Sequence, residues 1–191
     1  MLRDKNKKKM LYLLPIGEIE PYVLEHLIPS LSRTFSLPCA SLKAVGIPSE
    51  AYHVRRRQYN SEVILHRLQT YRPPQGERLL GITEVDLYVS PLNFVFGQAD
   101  LPGRVALISL CRLHQEFYGL ASAKALFLLR TTKEAVHELG HTYGLRHCYN
   151  TKCVMHFSNS LRDTDIKSDR FCKRCQQELE DNLQMLRSPE R

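Results

Sequence analysis

Residues 137–148 contain the feature that most constrains how this 191-residue chain can fold. They read His-Glu-Leu-Gly-His-Thr-Tyr-Gly-Leu-Arg-His-Cys, which is the pattern H-E-x-x-H-x-x-G-x-x-H followed by a cysteine. On an α-helix, side chains four residues apart differ by about 40° around the axis and lie about one turn apart along it. His137 and His141 can therefore bind one zinc ion, provided that this part of the chain is helical.

The other residues of the pattern are those that a hydrolytic zinc site needs. Glu138 lies too far round the helix to be a third ligand, but it is placed to hold a water molecule on the zinc. Gly144 can adopt the left-handed conformation that ends a helix, and the resulting turn can bring His147 to the same metal. Three histidines leave one zinc position open, as catalytic sites require. H-E-x-x-H alone also occurs by chance, but the glycine and third histidine at these offsets favour a zinc site over a helix that only packs in a core.

Four of the six cysteines follow the histidine motif as two close pairs. Cys148 and Cys153 have the spacing C-x4-C, and Cys172 and Cys175 have the spacing C-x-x-C. Two such pairs are typical of a structural zinc bound by four cysteines. Two disulfides would imply a secreted chain, but we find no secretory signal. A redox pair formed by the C-x-x-C cysteines is the remaining alternative.

Three residues that resemble metal ligands are not expected to bind metal. Cys39 and Cys111 lie far apart in apolar surroundings, so we expect both to be buried free thiols. His156 follows the histidine motif closely, but three histidines already complete a catalytic set.

Together these motifs resemble the archaemetzincins, a family that is similar to the metzincin peptidases but adds a four-cysteine zinc site to the catalytic motif. The resemblance covers residues 137–175 and rests on His137, Glu138, His141, Gly144, His147, Cys148, Cys153, Met155, Cys172 and Cys175. It implies zinc ligands at the three histidines, a general base and acid at Glu138 and a structural zinc at the four cysteines. It also implies a methionine turn beneath the metal at Met155, although a methionine after such a motif is more often core filler.

The resemblance implies a zinc-dependent peptidase that contains two zinc ions, one catalytic and one structural. Glu138 would act as general base on the water held by the catalytic zinc, and aminopeptidase action is one form of this activity. Phe157, Ser158 and Asn159 are predicted to form one wall of the pocket beyond the scissile bond. The alternative is a non-catalytic or self-inhibited binding or regulatory module, in which Cys148 takes the open zinc position.

Composition and charge limit the partners and the compartment. Hydrophobic residues make up 43% of the chain, and no apolar run approaches the ~18 residues of a membrane-spanning helix. Four reduced cysteines on a metal make the cytoplasm the expected compartment. The net charge of +7, with basic runs at Lys5, Lys7, Lys8 and Lys9 and at residues 55–57, is typical of a solvated basic surface, of nucleic-acid binding or of a preference for acidic peptides. Because tryptophan and an aromatic-and-basic strip are both lacking, we expect a peptide or protein substrate and no nucleic acid.

Hydrophobic periodicity predicts strands interspersed with helices. Strands are predicted at residues 11–16, 41–45, 79–89, 93–99 and 104–110, with a hairpin-like turn at 100–103. Helices are predicted at residues 19–28, ended by Pro29; at 61–71, ended by the break at 72–76; at 121–144, either continuous or restarted by a Thr131–Glu134 capping box; and at 169–186. Residues 145–168 are predicted to be loop, metal knuckle and turn.

This order of elements predicts an α+β (mixed α/β) fold. The resemblance to metzincins implies a twisted mixed sheet with a long active-site helix behind it. The strand at 93–99 would be the antiparallel edge above the cleft, where an extended peptide could pair. We expect one compact catalytic domain with two parts. Residues 1–144 form a sheet-and-helix subdomain ending in the active-site helix, and 145–191 form a small cysteine-rich subdomain with the third histidine, the Met-turn and a terminal helix.

Overall fold

A mixed five-stranded sheet with helices on both faces forms the body of the protein. The computed structural model describes residues 9–73 and 76–187, so the predicted basic residues Lys5, Lys7 and Lys8 and the break residues Pro74 and Gln75 lie outside it. The strands are β1 (Met10–Ile16), β2 (Cys39–Ser41), β3 (Tyr52–His53), β4 (Gln58–Asn60), β5 (Gly76–Thr83), β6 (Leu87–Tyr88), β7 (Gly97–Asp100) and β8 (Val105–Ser109). The helices are α1 (Pro21–Phe35), α2 (Ser61–Leu68), α3 (Lys124–Thr142), α4 (Leu161–Ile166) and α5 (Lys173–Arg187).

The large sheet has the strand order β2-β1-β5-β8-β7. Its strands are parallel except for β7, which runs antiparallel to β8 at one edge. This arrangement confirms the predicted mixed sheet, the predicted hairpin at 100–103 and the antiparallel edge. A second, small sheet has the order β3-β4-β6.

Side chains alternate between two cores because successive residues of a strand point to opposite faces. In β1, Leu11 and Leu13 join the core that contains α1 and α3, whereas Leu14 joins the core that contains α2. Every residue of β8 is buried, as expected for a strand covered on both faces. The first core also includes Met155 and residues of α5, so the cysteine-rich part packs directly on the sheet-and-helix part.

The first helix does not end at Pro29, as the sequence predicted, but continues to Phe35. Proline removes one backbone hydrogen bond and costs about 3 kcal/mol in a helix interior. Continuing the helix buries Leu31 and Phe35 completely on the same face as Leu27, and this burial offsets the cost. Pro29 itself lies on the exposed face, where its ring meets solvent rather than the core.

The predicted strand at 79–89 is two strands in two different sheets. β5 ends at Thr83, and β6 pairs with β4 instead. Between them, Asp86 forms a two-point ion pair with Arg112, with oxygen–nitrogen distances of 2.6 and 2.8 Å. At this pair the chain leaves the large sheet. The hydrophobic pattern on either side of it does not indicate that the strand ends there.

Other boundaries moved by smaller amounts. The second strand lies at β2 rather than at 41–45, β7 begins at Gly97 rather than at 93, and α5 begins at Lys173. The short helix α4 lies in a region that was predicted to be loop. No helix within residues 9–73 and 76–187 is long and apolar enough to cross a membrane.

The third helix is continuous from Lys124 to Thr142. The Thr131 hydroxyl donates to the Phe127 carbonyl at 2.8 Å, so it does not cap a new helix and the predicted alternative of a restart does not occur. The helix packs against α1, β7 and β8, and its C-terminal turn carries the histidine motif.

Replacing Pro29 with alanine should stabilise the protein, since it restores a backbone hydrogen bond in α1 without removing a buried contact. We expect the free energy of unfolding in urea to rise by about 1–3 kcal/mol. Pro21→Ala is the matched control, because proline in the first turn of the same helix has no such cost. A Pro29→Ala protein that is less stable than the wild type would contradict this account.

Candidate metal centres and active site

The histidine motif folds into a helix end that brings three imidazoles together. Gly144 has φ = 91°, and its N–H donates to the His141 carbonyl at 2.9 Å. The next N–H, that of Leu145, donates to the Gly140 carbonyl at 3.2 Å, which completes a Schellman motif. This turn carries His147 to His137 and His141, and one ring nitrogen from each lies within 4.8 Å of the others.

Two backbone carbonyls determine which nitrogens face inward. Nδ1 of His137 lies 2.8 Å from the Val154 carbonyl, and Nδ1 of His141 lies 2.8 Å from the Leu145 carbonyl. A carbonyl only accepts hydrogen bonds, so each Nδ1 carries the hydrogen and each Nε2 presents a lone pair. The two Nε2 atoms are 3.1 Å apart. Two facing lone pairs repel each other unless a cation lies between them, so this donor set fits a metal ion.

The distances also suit zinc. With zinc–nitrogen bonds of about 2.0–2.1 Å, two ligands of a tetrahedral site are about 3.3 Å apart. Burial lowers the pKa of His137 well below its ordinary value and also lowers the pKa of His141 and of His147. Neutral imidazoles are the form that binds metal. His147 is the most exposed of the three and lies on the open side of the group.

Glu138 points to the same centre from the first turn of the motif. Its side chain is buried, and burial raises the pKa of Glu138 well above that of an ordinary carboxyl; Glu134 acts in the same direction and Lys167 opposes it. Gly97 of β7 lies against this side chain, because a Cβ there would come within 2.6 Å of the Glu138 Cγ. Only glycine leaves room for the carboxyl at the sheet edge.

Met155 packs directly beneath the motif. It is fully buried, and its sulfur would lie 2.6 Å from a Cβ added at Gly140. The absence of a side chain at Gly140 therefore lets the Met155 segment approach the underside of α3. This position agrees with the predicted Met-turn, whose function stays a prediction.

The four cysteines Cys148, Cys153, Cys172 and Cys175 form a second group, with their sulfurs within 4.8 Å of one another. The Cys148 and Cys172 sulfurs are 3.9 Å apart, close to the ~3.8 Å between two thiolates on one tetrahedral zinc. All four are free thiols, with no disulfide between them. A hydrogen bond from the Cys175 N–H lowers the pKa of Cys172 to about 7, which favours the thiolate.

The two groups share the backbone of residues 147–156. Cys148 N–H donates to the Met155 carbonyl at 2.9 Å, and the intervening Val154 supplies the carbonyl that orients His137. The Cys148 sulfur belongs to the cysteine group and is not part of the histidine group. His156 bonds the Cys148 carbonyl through Nδ1 at 2.8 Å and belongs to neither group of candidate ligands.

Cys39 and Cys111 are free thiols outside both groups, and each is only partly buried rather than buried as the sequence predicted. Burial raises the pKa of Cys39 to about 12 and that of Cys111 to about 11, so both are protonated.

A buried ion pair lies beside the catalytic group. The Lys167 ammonium and the Glu134 carboxylate are 2.9 Å apart, with side chains 0% and 3% exposed. Thr164 also donates to Glu134, at 3.2 Å. One turn earlier on α3, Arg130 forms a two-point pair with Asp165 at 2.7 Å. These contacts attach α4 and the residues after it to the active-site helix.

A cleft of about 430 Å³ opens above the histidines and Glu138. One wall is β7 with the loop before it, and the facing wall includes the predicted residues Phe157, Ser158 and Asn159. The Phe157 ring lies 4.9 Å from the His147 ring, centroid to centroid.

Sequence reasoning missed Gly97, Glu134 and Lys167. Glu134 precedes Glu138 by one helical turn, so a shared helix face was available as a signal, but it was interpreted as part of a capping box. Lys167 resembles an ordinary surface lysine in the sequence. The need for glycine at position 97 becomes evident only once β7 is known to approach α3.

Comparison with known proteins gives a consistent result. The sequence profile of Peptidase family M54 matches residues 18–181. The archaemetzincin of Methanocaldococcus jannaschii is 46% identical over 167 residues, which are 87% of this chain and 90% of that protein. The archaemetzincin of Pyrococcus furiosus is 45% identical over 182 residues, covering 92% and 95%.

Solved structures show the same similarity. The crystal structure of archaemetzincin from Methanopyrus kandleri has a TM-score of 0.83 at 37% identity and covers 96% of this chain and 99% of that one. The archaemetzincin of Archaeoglobus fulgidus, complexed with malonate, has a TM-score of 0.77 at 38% identity and covers 88% and 99%. The fold implied by the sequence resemblance is confirmed.

Replacing Lys167 with methionine should destabilise the protein strongly, because it leaves the Glu134 carboxylate buried without its cation. We expect a loss of about 3–5 kcal/mol in the free energy of unfolding measured in urea. The double variant Lys167→Met/Glu134→Leu should recover most of this loss, since two apolar side chains replace the pair. Lys173→Met, on the exposed start of α5, is the matched control. Removing one partner of a buried ion pair usually costs about 3–5 kcal/mol. A single variant whose free energy of unfolding lies within about 1 kcal/mol of wild type would therefore show that stability does not depend on the pair.

Proposed function

Because this chain belongs to peptidase family M54, the archaemetzincins, and is therefore a zinc metallopeptidase, we propose that His137, His141 and His147 bind its catalytic zinc and that Glu138 is its general base. The observation that carries the proposal is the convergence of two Nε2 lone pairs at 3.1 Å, which leaves a cation as the natural occupant.

When bound, zinc supplies Lewis-acid polarisation of the scissile carbonyl and lowers the pKa of the attacking water toward about 7. Glu138 then accepts a proton from that water and returns it to the leaving amine. A carboxyl whose pKa is raised by burial suits both steps, because it can hold the proton between them. Gly97 keeps the carboxyl in place by leaving it room at the sheet edge.

The free edge of β7 is the proposed binding site for the peptide backbone. The Ser109 N–H donates to the Phe96 carbonyl, and the alternation of an antiparallel ladder then directs the backbone groups of Gly97 and Ala99 away from β8. Both residues line the cleft. An extended substrate can add there as a further strand, with its scissile bond next to Glu138.

Both carboxylates among the described residues that line the cleft already have other roles, and this favours cleavage within a peptide over aminopeptidase action. An aminopeptidase needs an anionic group for the substrate's terminal ammonium. Among the described residues that line the cleft, Glu138 is the proposed base and Glu134 is already paired with Lys167. We therefore propose endopeptidase action, with Phe157, Ser158 and Asn159 forming the wall beyond the scissile bond.

The four cysteines are proposed to bind a second, structural zinc. Four sulfurs leave no position for water, as in closed structural sites. Residues 145–191 would then act as a subdomain that this zinc stabilises and that supplies His147, the Val154 carbonyl and the cleft wall to residues 1–144.

Metal analysis should find two zinc ions per chain in the purified protein. His141→Ala should retain one zinc, whereas Cys153→Ser should lose the other zinc and unfold at lower urea concentration, because structural zinc contributes directly to folding. A wild-type protein that binds one zinc, or a Cys153→Ser protein that still binds two, would contradict the assignment.

Glu138→Ala should retain both zinc ions and lose hydrolysis by about 10²–10⁴-fold, because the general base is absent while the proposed ligands remain. The measurement is the cleavage rate of a fluorogenic peptide library with free and acetylated N-termini. Glu178→Ala, on the exposed face of α5, is the matched control and should cleave at the wild-type rate. Wild-type cleavage by Glu138→Ala would exclude the mechanism, and cleavage restricted to free N-termini would exclude endopeptidase action.

A further inference from the structure

The hairpin between β3 and β4 places three consecutive arginines on an exposed turn. The turn, residues 54–57, reads Val-Arg-Arg-Arg and is here called the arginine turn. All four residues are exposed, with Val54 at 75%. It is the only run of three arginines in the sequence, and the peptidase mechanism proposed above does not use it.

The arginine turn is attached to the rim of the catalytic cleft. The Arg56 guanidinium donates to the backbone carbonyls of Leu92 at 3.1 Å and Asn93 at 2.9 Å. Leu92 and Asn93 both line the cleft. The same guanidinium lies 4.3 Å from the centre of the Tyr88 ring. The middle arginine therefore fixes the turn against the wall along which substrate must lie.

The two outer arginines carry charge that the described part of the chain does not neutralise. Within residues 9–73 and 76–187, neither Arg55 nor Arg57 forms an ion pair. The neighbouring acidic groups are occupied, since Asp86 pairs with Arg112 and Glu50 with Arg67. Arg56 bonds only uncharged acceptors, so its own charge also remains at the rim.

The backbone of the turn is strained at Arg57. Its φ of 55° lies in the left-handed region, which costs about 1–2 kcal/mol for a residue other than glycine. Glycine or asparagine is the usual residue at such a hairpin position. Ser36 and Arg104 have the same backbone conformation, so this strain supports a function for the Arg57 side chain only together with the position of the turn at the cleft rim.

We propose that the arginine turn binds acidic side chains of the peptide substrate, so that this peptidase favours peptides with aspartate or glutamate a few residues from the scissile bond. The inference rests on the proposed peptidase function and names its substrate class. Guanidinium groups suit this task because they bind a carboxylate through two parallel hydrogen bonds. Charge complementarity at the rim also steers such a peptide toward the cleft.

The test compares kcat/KM for three peptides that differ only at the flanking positions, where they carry glutamate, glutamine or lysine. The wild-type protein should prefer glutamate to glutamine by about threefold to tenfold, because exposed ion pairs are individually weak, and added salt should reduce the preference. In Arg55→Gln/Arg57→Gly the ratio should fall to about twofold or less, the part that the remaining Arg56 charge supplies, while Arg55→Lys should keep most of the wild-type ratio.

Two controls separate charge from folding. Arg57→Gly removes the strain, so it should unfold at higher urea concentration than wild type while losing part of the preference. Arg33→Gln removes one exposed arginine from α1 and should keep the full preference. A wild-type protein with equal rates on glutamate and glutamine peptides, or a preference unchanged in the double variant, would overturn the inference.

A binding measurement keeps this inference distinct from the peptidase function. The Glu138→Ala protein should bind the fluorescein-labelled glutamate peptide more tightly than the glutamine peptide, and adding the double variant should remove most of the difference. If wild type cleaves no peptide, the peptidase proposal fails while this binding result still decides the inference. Arginine-dependent binding of single-stranded RNA that is tighter than that of the glutamate peptide would overturn it in favour of a nucleic acid.

Discussion

Two hydrogen bonds from imidazoles to backbone carbonyls determine the geometry of the histidine group, the proposed catalytic centre. They turn His137 and His141 so that the Nε2 lone pairs converge, and the carbonyls come from chain that follows the helix. The Leu145 carbonyl is placed by the Schellman turn at Gly144, and the Val154 carbonyl lies between a cysteine of the second group and Met155. The orientation of His137 therefore depends on the folding of residues 148–155, which contain the first two cysteines of the second group. Unfolding of this segment would remove the Val154 carbonyl that orients His137.

The buried charged residues of α3 hold a second segment of the chain in place beside the cleft. Arg130, Lys133 and Glu134 are buried, and each bonds the segment that contains α4 and Lys167. Buried ion pairs contribute little net stability, because desolvation nearly cancels their attraction. Their geometric demand is high, however, and they hold the chain that forms the cleft wall in one position. We infer that these charges specify the shape of the cleft more than they stabilise the fold.

Most of the local chemistry was predictable from sequence, because each part of it depends on short spacings. The helix at 124–142, the glycine turn after it, the three histidines and each of the two cysteine pairs depend on residues within a few positions of one another. The failures had non-local causes. Pro29 remains inside a helix because Leu31 and Phe35 are buried in a core formed with residues distant in sequence. The strand predicted at 79–89 divides at Asp86, which forms an ion pair with Arg112. Gly97 and Lys167 acquire their places only from tertiary contacts that no spacing indicates.

The strand edge of β7 and the arginine turn beside it would contribute differently to substrate recognition. A free strand edge at Gly97 and Ala99 offers backbone groups, which any extended peptide can pair with, so this edge cannot by itself choose between sequences. Selection has to come from side chains near the edge. On the β7 side, the small sheet holds the arginine turn against Leu92 and Asn93, and that turn supplies concentrated charge. The net charge of +7, which composition alone leaves open between solvated surface, nucleic-acid binding and acidic peptides, thus includes one run of arginines that lies against the rim of the cleft.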